Sequence, residues 1–382
     1  MYRGNTVGVV VPAYNEERFV GEVIDTVPSF VDRIYAVDDR STDRTWDVIR
    51  SYATRANKHD RNEPETPLAP DGGEQADHRV IPIRHPVNRG RGAAVKTGYE
   101  RALADEMDII VVMDGDGQMD PEIMTSLIDP VADGTADYAV GDRLAGPTHW
   151  RGMPVWRLFG NLVLSGLTRI ASGYWHIRDP QNGYTVLSAA ALSDLDRDRL
   201  YDRYGFLNDL LVHLNVAEKR VATVPMNARY GDEESGIEYT TFVPGLSFLL
   251  LRDFLWRLRV RYGSTVVHPV IVLYVLGVVG VVAGTLRLGR RLVSRTKPER
   301  REVAGVAGGL TSLAGAMLLD RRENERLKVR LAGEPADSTD SSASRESREA
   351  LETRESPNAD GEAHPRRRDR LNRENRPGRE DR

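Results

Sequence analysis

The residues best suited to chemistry in this chain are Asp114 and Asp116, two apart in the run Met113-Asp114-Gly115-Asp116-Gly117-Gln118. Two carboxylates at that spacing in a turn can converge on one hard divalent cation. Mg²⁺ or Mn²⁺ prefers such oxygen donors and keeps coordination sites open for a diphosphate. Gln118 adds a neutral oxygen to this metal set, and Gly115 and Gly117 permit the tight backbone. An isolated Asp-x-Asp is common and is usually a solvated turn. This one follows an uninterrupted apolar run, residues 109–113, and has further polar motifs upstream.

Two earlier apolar runs end in Val11-Pro12-Ala13-Tyr14-Asn15-Glu16-Glu17 and in Val37-Asp38-Asp39-Arg40-Ser41-Thr42-Asp43. As parallel strands they would bring their carboxyl ends to the edge occupied by Asp114, where open α/β folds bind ligands. There Tyr14 would stack on a base, and Glu16 and Asp39 would hydrogen-bond the base or the ribose hydroxyls. Pro12 also suits a strand end, and Asp43 suits a helix N-cap. The segment Asn88-Arg89-Gly90-Arg91-Gly92-Ala93-Ala94-Val95 has valine where a dinucleotide fingerprint needs its last glycine, which excludes a Rossmann oxidoreductase. It leaves a glycine-rich approach to phosphates at the start of a helix. The absence of a Walker sequence excludes P-loop ATPase and kinase readings.

Positioning these residues takes a sheet. Residues 1–230 alternate β-branched runs, at 7–11, 33–37, 80–84, 109–113 and 138–140, with helical patterns at 17–26, 43–55, 93–104 and 121–132. That alternation predicts an α/β fold whose mainly parallel sheet carries helices on both faces. The run at 109–113 reads as a central strand buried on both sides, and polar residues 56–79 as a surface loop.

The chain has 382 residues and no cysteine, which excludes disulfide scaffolds, thiolate-bound metals and thiol catalysis. The first 30 residues lack a signal-peptide pattern, so the catalytic part is expected in the cytoplasm. Net charge is −12 over residues 1–250 and +8 over residues 251–300. An acidic body is a poor partner for nucleic acid, whereas a basic collar suits anionic headgroups. Residues 236–265 predict an amphipathic interfacial segment in which Arg257, Arg259 and Arg261 would attract a lipid anion. Residues 266–286 predict a transmembrane helix and residues 303–319 a second, shorter one, closing a hairpin whose basic turn conflicts with the positive-inside tendency. Residues 332–382 read as a disordered charged tail.

Five motifs in order (12–17, 38–45, 88–98, 114–121 and Asp179-Pro180-Gln181-Asn182-Gly183-Tyr184) resemble those of family 2 glycosyltransferases. The similarity extends over about residues 5–262 and is greatest to archaeal dolichyl-phosphate glucose and mannose synthases of protein N-glycosylation. The resemblance implies a GT-A catalytic domain over residues 1–235, a nucleotide-sugar donor such as UDP-glucose or GDP-mannose, Mg²⁺ or Mn²⁺, and inversion at the anomeric carbon. It further implies a dolichyl or polyprenyl phosphate acceptor at the cytoplasmic face of the cell membrane. Besides these ligands, the expected partners are the bilayer and, at most, further copies of the chain.

By the same resemblance, Pro12, Tyr14, Glu16, Val37 and Asp39 would hold the nucleoside. Asp114, Gly115, Asp116 and Gln118 would hold the metal and diphosphate. Arg143 and Arg229 would face the phosphates, and Asp209 would match an acidic residue of the following helix. The stretch Arg229-Tyr230-Gly231-Asp232-Glu233-Glu234-Ser235 departs from the commoner pattern, since no lysine follows Ser235. A lipid monophosphate is largely dianionic at neutral pH and attacks without a general base. Asp209 would be needed as a base only for the alternative, transfer to a hydroxyl of a lipid-linked saccharide. A processive polysaccharide synthase lacks support, because none of the three glutamines begins Q-x-x-R-W. Intact Asp39, Asp114 and Asp116 argue against a non-catalytic membrane scaffold.

Overall fold

Apolar strands buried on both faces set the centre of the molecule. The computed structural model describes residues 1–59, 79–146, 155–227, 239–263, 268–294 and 300–331. In it β1 (Val7–Ala13), β4 (Ile109–Val112) and β5 (Tyr138–Asp142) are buried along their whole length. β1 pairs in parallel with β2 (Arg33–Asp38) and β4, and β2 pairs in parallel with β3 (Val80–Arg84). β6 (Thr185–Ser188) runs antiparallel between β4 and β5. Beyond β5, β7 (Val221–Pro225) and β8 (Lys328–Val329) resume the parallel direction, giving the order β3-β2-β1-β4-β6-β5-β7-β8.

Strand alternation sends Val9 and Val11 to one face and Val10 to the other. Val9 and Val11 share a core with Ile24 of α1 (Val20–Thr26), Ile49 of α2 (Thr45–His59) and Leu127 of α4 (Met124–Ala132). Val10 packs with Tyr99 of α3 (Arg91–Ala104) and Leu210 of α7 (Phe206–Val216). Helices therefore cover both faces, the GT-A arrangement that the sequence implied. An added Cβ at Gly98 would stand 2.3 Å from Val10 Cγ1, so α3 lies directly on β1. The five expected strands are present, β3 with its expected bounds and the other four with an end shifted by one or two residues. α5 (Val155–Ser172), α6 (Ala189–Ser193), β6, β7 and β8 add to the expected set.

The chain continues into α8 (Tyr239–Tyr262), α9 (Pro269–Val293) and α10 (Arg300–Asn324). The last two are long and apolar enough to cross a membrane, and both exceed the expected 266–286 and 303–319. They form an antiparallel pair with a glycine seam: an added Cβ would lie 2.6 Å from Leu313 at Gly277, 2.9 Å from Gly309 at Gly280 and 2.6 Å from Val306 at Gly284. Small residues four apart on both helices, Gly280 with Gly284 and Gly305 with Gly309, permit this approach. Outward-facing Val275, Leu276, Val279, Leu286, Leu310 and Leu318 stay exposed.

α10 returns to the sheet-bearing body. Its Asp320 is fully buried and accepts from Arg257 Nη1 at 2.9 Å, Arg257 Nη2 at 3.0 Å and the Tyr262 hydroxyl at 2.7 Å. Arg257 also donates to the Ala171 carbonyl at 2.8 Å. This corrects the expectation that Arg257 meets a lipid anion: it is fully buried in the protein, and Arg261 pairs with Glu218. A buried ion pair contributes little net stability but is costly to break on one side. Asp320→Ala should therefore lower stability by roughly 3–5 kcal/mol, read as a lower melting temperature in detergent. Arg257→Met added to it should recover part of the loss; no recovery would count against this pairing.

Candidate functional site

The carboxyl ends of β2, β1 and β4 lie side by side, and short hydrogen bonds lock their loops together. Asp39 N donates to the Ala13 carbonyl at 2.9 Å, and Gly115 N donates to the Pro12 carbonyl at 3.1 Å. Asn15, held at a φ of 59°, receives the Thr42 amide at 2.8 Å and donates its own amide to Ser41 Oγ at 2.9 Å. Glu16 N donates to Thr45 Oγ1 at 2.7 Å, and Asp43 caps α2 by accepting from Thr45 N at 2.9 Å. Tyr14 lies at this edge, half-exposed. Pro12 is buried. Val37 corrects its expected role: its side chain is fully buried in the core beside Val10 and Ile81, and its backbone lies between β1 and β3.

Asp39 is buried and serves as an anchor. It accepts from Arg89 N at 2.8 Å and Gly90 N at 2.7 Å, and its Oδ1 lies 2.7 Å from His85 Nδ1. The second acid of this motif thus organises the third motif's loop. The glycines there differ from expectation. An added Cβ would stand 2.8 Å from the Asp202 carbonyl at Gly90 and 2.5 Å from the Tyr201 carbonyl at Gly92, while Ala93 N donates to Asp202 at 2.9 Å. The chain's own residues 201–202 occupy the start of α3, where a phosphate was expected. Lys96 fixes that segment, donating to the Leu200 carbonyl at 3.1 Å and to Asp202 at 2.8 Å.

Asp114 and Asp116 follow β4 in a turn in which Gln118 N donates to Asp116 Oδ1 at 2.9 Å and Gly117 takes a φ of 74°. Arg91 crosses from the first residue of α3, its Nε donating to Asp114 Oδ1 at 2.9 Å. The fifth motif closes over this pair: a Cβ on Gly183 would lie 2.2 Å from Asp114 Oδ2 and 2.6 Å from Arg91 Nη2. Only glycine fits against that pair, and with Asp116 and Gln118 the donor types are hard oxygen throughout, which fits Mg²⁺ or Mn²⁺.

Arg143, at the end of β5, grips Asp179 of the fifth motif through Nε at 2.7 Å and Nη2 at 3.1 Å, the paired geometry of a strong guanidinium–carboxylate contact. Neighbouring Arg178 pairs back with Asp142 at 2.8 Å. Arg229 lies outside the described residues, as do most of residues 56–79, residues 264–267 and the tail at 332–382. The partners Arg91, His85 and Asp179 were missed as site residues. All three stand in or beside the quoted motifs, where the pairing of their charges was the available signal.

Asp209 is fully buried on α7. It accepts from Tyr201 N at 2.9 Å and from Arg252 Nη2 of α8 at 3.1 Å. Burial, then the nearby Asp253 carboxylate, push its carboxyl up to about 7. This is the surrounding of a residue that ties α8 and the 200–205 segment to α7.

Residues 8–196 match the model of glycosyl transferase family 2. A UDP-N-acetylglucosamine–dolichyl-phosphate N-acetylglucosaminyltransferase of Methanococcus voltae is 29% identical over 223 residues, spanning 58% of this chain and 85% of that protein. A dolichol-phosphate mannosyltransferase of Pyrococcus furiosus is 28% identical over 191 residues, spanning 47% of this chain and 46% of that one. The crystal structure of mannosyl-3-phosphoglycerate synthase from Rubrobacter xylanophilus aligns with a TM-score of 0.48 at 15% identity, covering 69% of this chain and 77% of that one.

The raised Asp209 carboxyl carries a pH signature. The folded state holds its proton to higher pH than the unfolded chain, so its contribution to stability is present at low pH and is lost as pH rises towards 7. Nearby His213 works the other way, because burial and then Arg199 hold it down to about 4. Asp209→Asn isolates the first effect. Its stability relative to the parent should improve by about 1–3 kcal/mol as pH rises from roughly 4 to 7. Melting curves across that range check this, and a flat difference would refute it.

Proposed function

Residues 8–196 belong to glycosyl transferase family 2, and from that premise we propose that this enzyme moves a hexosyl group, with inversion, from a nucleotide sugar to dolichyl or another polyprenyl phosphate at a membrane surface. The observation that carries the reading is the gathering of Tyr14, Asp39, Asp114, Asp116, Arg143 and Gly183 at one sheet edge. The relatives' names, which specify dolichyl-phosphate acceptors, support the same class of reaction. Lipid-linked glycan assembly for protein N-glycosylation is the pathway step this chemistry serves.

Tyr14 stacks on the base while Glu16 and the Asp39 loop bound the nucleoside. Asp114, Asp116 and Gln118 would hold Mg²⁺ or Mn²⁺, which when bound supplies Lewis-acid neutralisation of the departing diphosphate. Arg143, held straight by Asp179, adds a fixed positive charge for donor or acceptor phosphate. Asp209 bears on the choice of acceptor. A hydroxyl acceptor needs a base with access to it, and this carboxylate is buried behind residues 200–205. A phosphate dianion needs none, so the burial favours the lipid phosphate.

The membrane elements supply that acceptor. α8 packs Leu246, Leu249 and Leu250 inward and exposes Phe248, Leu251 and Leu255 on its outer side, as an interfacial helix does. α9 and α10 cross the bilayer, with the catalytic domain at its cytoplasmic face. Because Asp320 and β8 dock α10 back onto the body, both helix ends lie on the catalytic side and the tip on the other. That docking supports this orientation against the positive charge of residues 287–301.

Two measurements test the proposal. Membranes containing the protein should transfer labelled sugar from UDP-glucose, UDP-N-acetylglucosamine or GDP-mannose to dolichyl phosphate, and Asp116→Ala should lower the rate about 100- to 1000-fold. Full activity in that variant would sink the metal assignment. The cysteine-free chain also allows clean topology mapping. Ser294→Cys at the tip should react with a membrane-impermeant maleimide only from the face opposite the catalytic domain, and Glu325→Cys only from the catalytic face. Labelling of both from one face would exclude the crossing hairpin.

A further inference from the structure

The third motif remains unexplained by the reading above, since its glycines make room for protein and its first arginine, Arg89, contributes a backbone amide. Its second arginine does something else. Arg91 reaches Asp114 with Nε at 2.9 Å and Nη2 at 2.7 Å, and both contacts fall on the same oxygen, Oδ1. A guanidinium meeting a carboxylate usually forks across both oxygens. Here Oδ2 is packed against Gly183 instead of meeting the guanidinium, and Nη2 is buried without a hydrogen bond of good alignment. A buried donor in that condition is costly unless a further acceptor completes it.

Resting on the proposed metal and diphosphate chemistry, we infer that Arg91 is a positioning residue that couples divalent-cation binding to nucleotide binding. Its guanidinium competes with the cation for Asp114, because two positive charges on one carboxylate repel each other across a poorly screened, partly buried gap. A diphosphate resolves the competition, because its negative charge offsets the pair of cations. The cation then binds weakly by itself and tightly together with the nucleotide. Gly183 is part of the device, since any side chain there would displace the Arg91–Asp114 pair. Charge, rather than bulk, is what the position requires.

The test is Mn²⁺ affinity of the full-length protein in detergent, followed by electron paramagnetic resonance, with Mn²⁺ alone and with UDP or GDP added. In the parent protein, UDP or GDP should tighten Mn²⁺ binding by about 5- to 150-fold, the usual range of coupling between two sites. Arg91→Gln should tighten binding of Mn²⁺ alone and shrink the nucleotide's effect towards onefold. Arg91→Lys should keep the parent's pattern. Unchanged or weaker binding of Mn²⁺ alone in Arg91→Gln would overturn the inference while leaving the enzyme assignment intact. So would an Arg91→Lys protein that behaves like Arg91→Gln. A parent protein that binds no Mn²⁺ even with both nucleotides would overturn the metal reading and this inference with it.

Discussion

Mutual repulsion among carboxylates gathered at one sheet edge is the constraint on which the rest of the site depends. Asp38, Asp39, Asp114 and Asp142 sit where strands end, Asp179 sits in the segment leading into β6, and each is answered locally. Arg84 pairs with Asp38, His85 and two backbone amides with Asp39, Arg91 with Asp114, Arg178 with Asp142 and Arg143 with Asp179. The pairs run between segments distant in sequence rather than within one loop, and two of these ties join motifs directly: the Arg89 and Gly90 amides to Asp39, and Arg91 to Asp114. Motif two therefore holds motif three, motif three holds motif four, and motif five closes on both. The cradle is rigid because its charges cross-link loops that the sheet alone would leave independent.

The same device fixes the apolar hairpin. Arg257 and Asp320 are both fully buried and join α8 to the far end of α10. Tyr262 and Asn324 complete that polar cluster, the Asn324 amide donating to the Tyr262 hydroxyl at 3.1 Å. β8 then adds a short parallel strand beside β7. The apolar hairpin is consequently an outgrowth of the catalytic body, tied to it at both ends, and its glycine seam holds its two helices together.

Much of this was legible in the residues themselves. Uninterrupted β-branched runs marked β1 to β5, and the motif ends following them marked the edge where the site lies. β6 escaped notice because four residues ending in Ser188 carry too little periodicity, and its antiparallel place depends on pairing with strands distant in sequence. β8 escaped for the same reason in a stronger form, with two residues that pair about a hundred positions away. Val37 belongs to a motif but points into the core, because side-chain direction in a strand follows register and not sequence company. Arg257 and Asp209 had compositions suited to a lipid anion and a base. Their burial depends on how α5, α7, α8 and α10 pack, which no single segment encodes.

The most direct test of the account compares acceptors under one donor. Membranes bearing the protein, supplied with a labelled nucleotide sugar and Mg²⁺, should glycosylate dolichyl phosphate, leave dolichol untouched, and lose activity when the cation is chelated. Transfer to the dolichol hydroxyl at a comparable rate, or transfer indifferent to chelation, would contradict it.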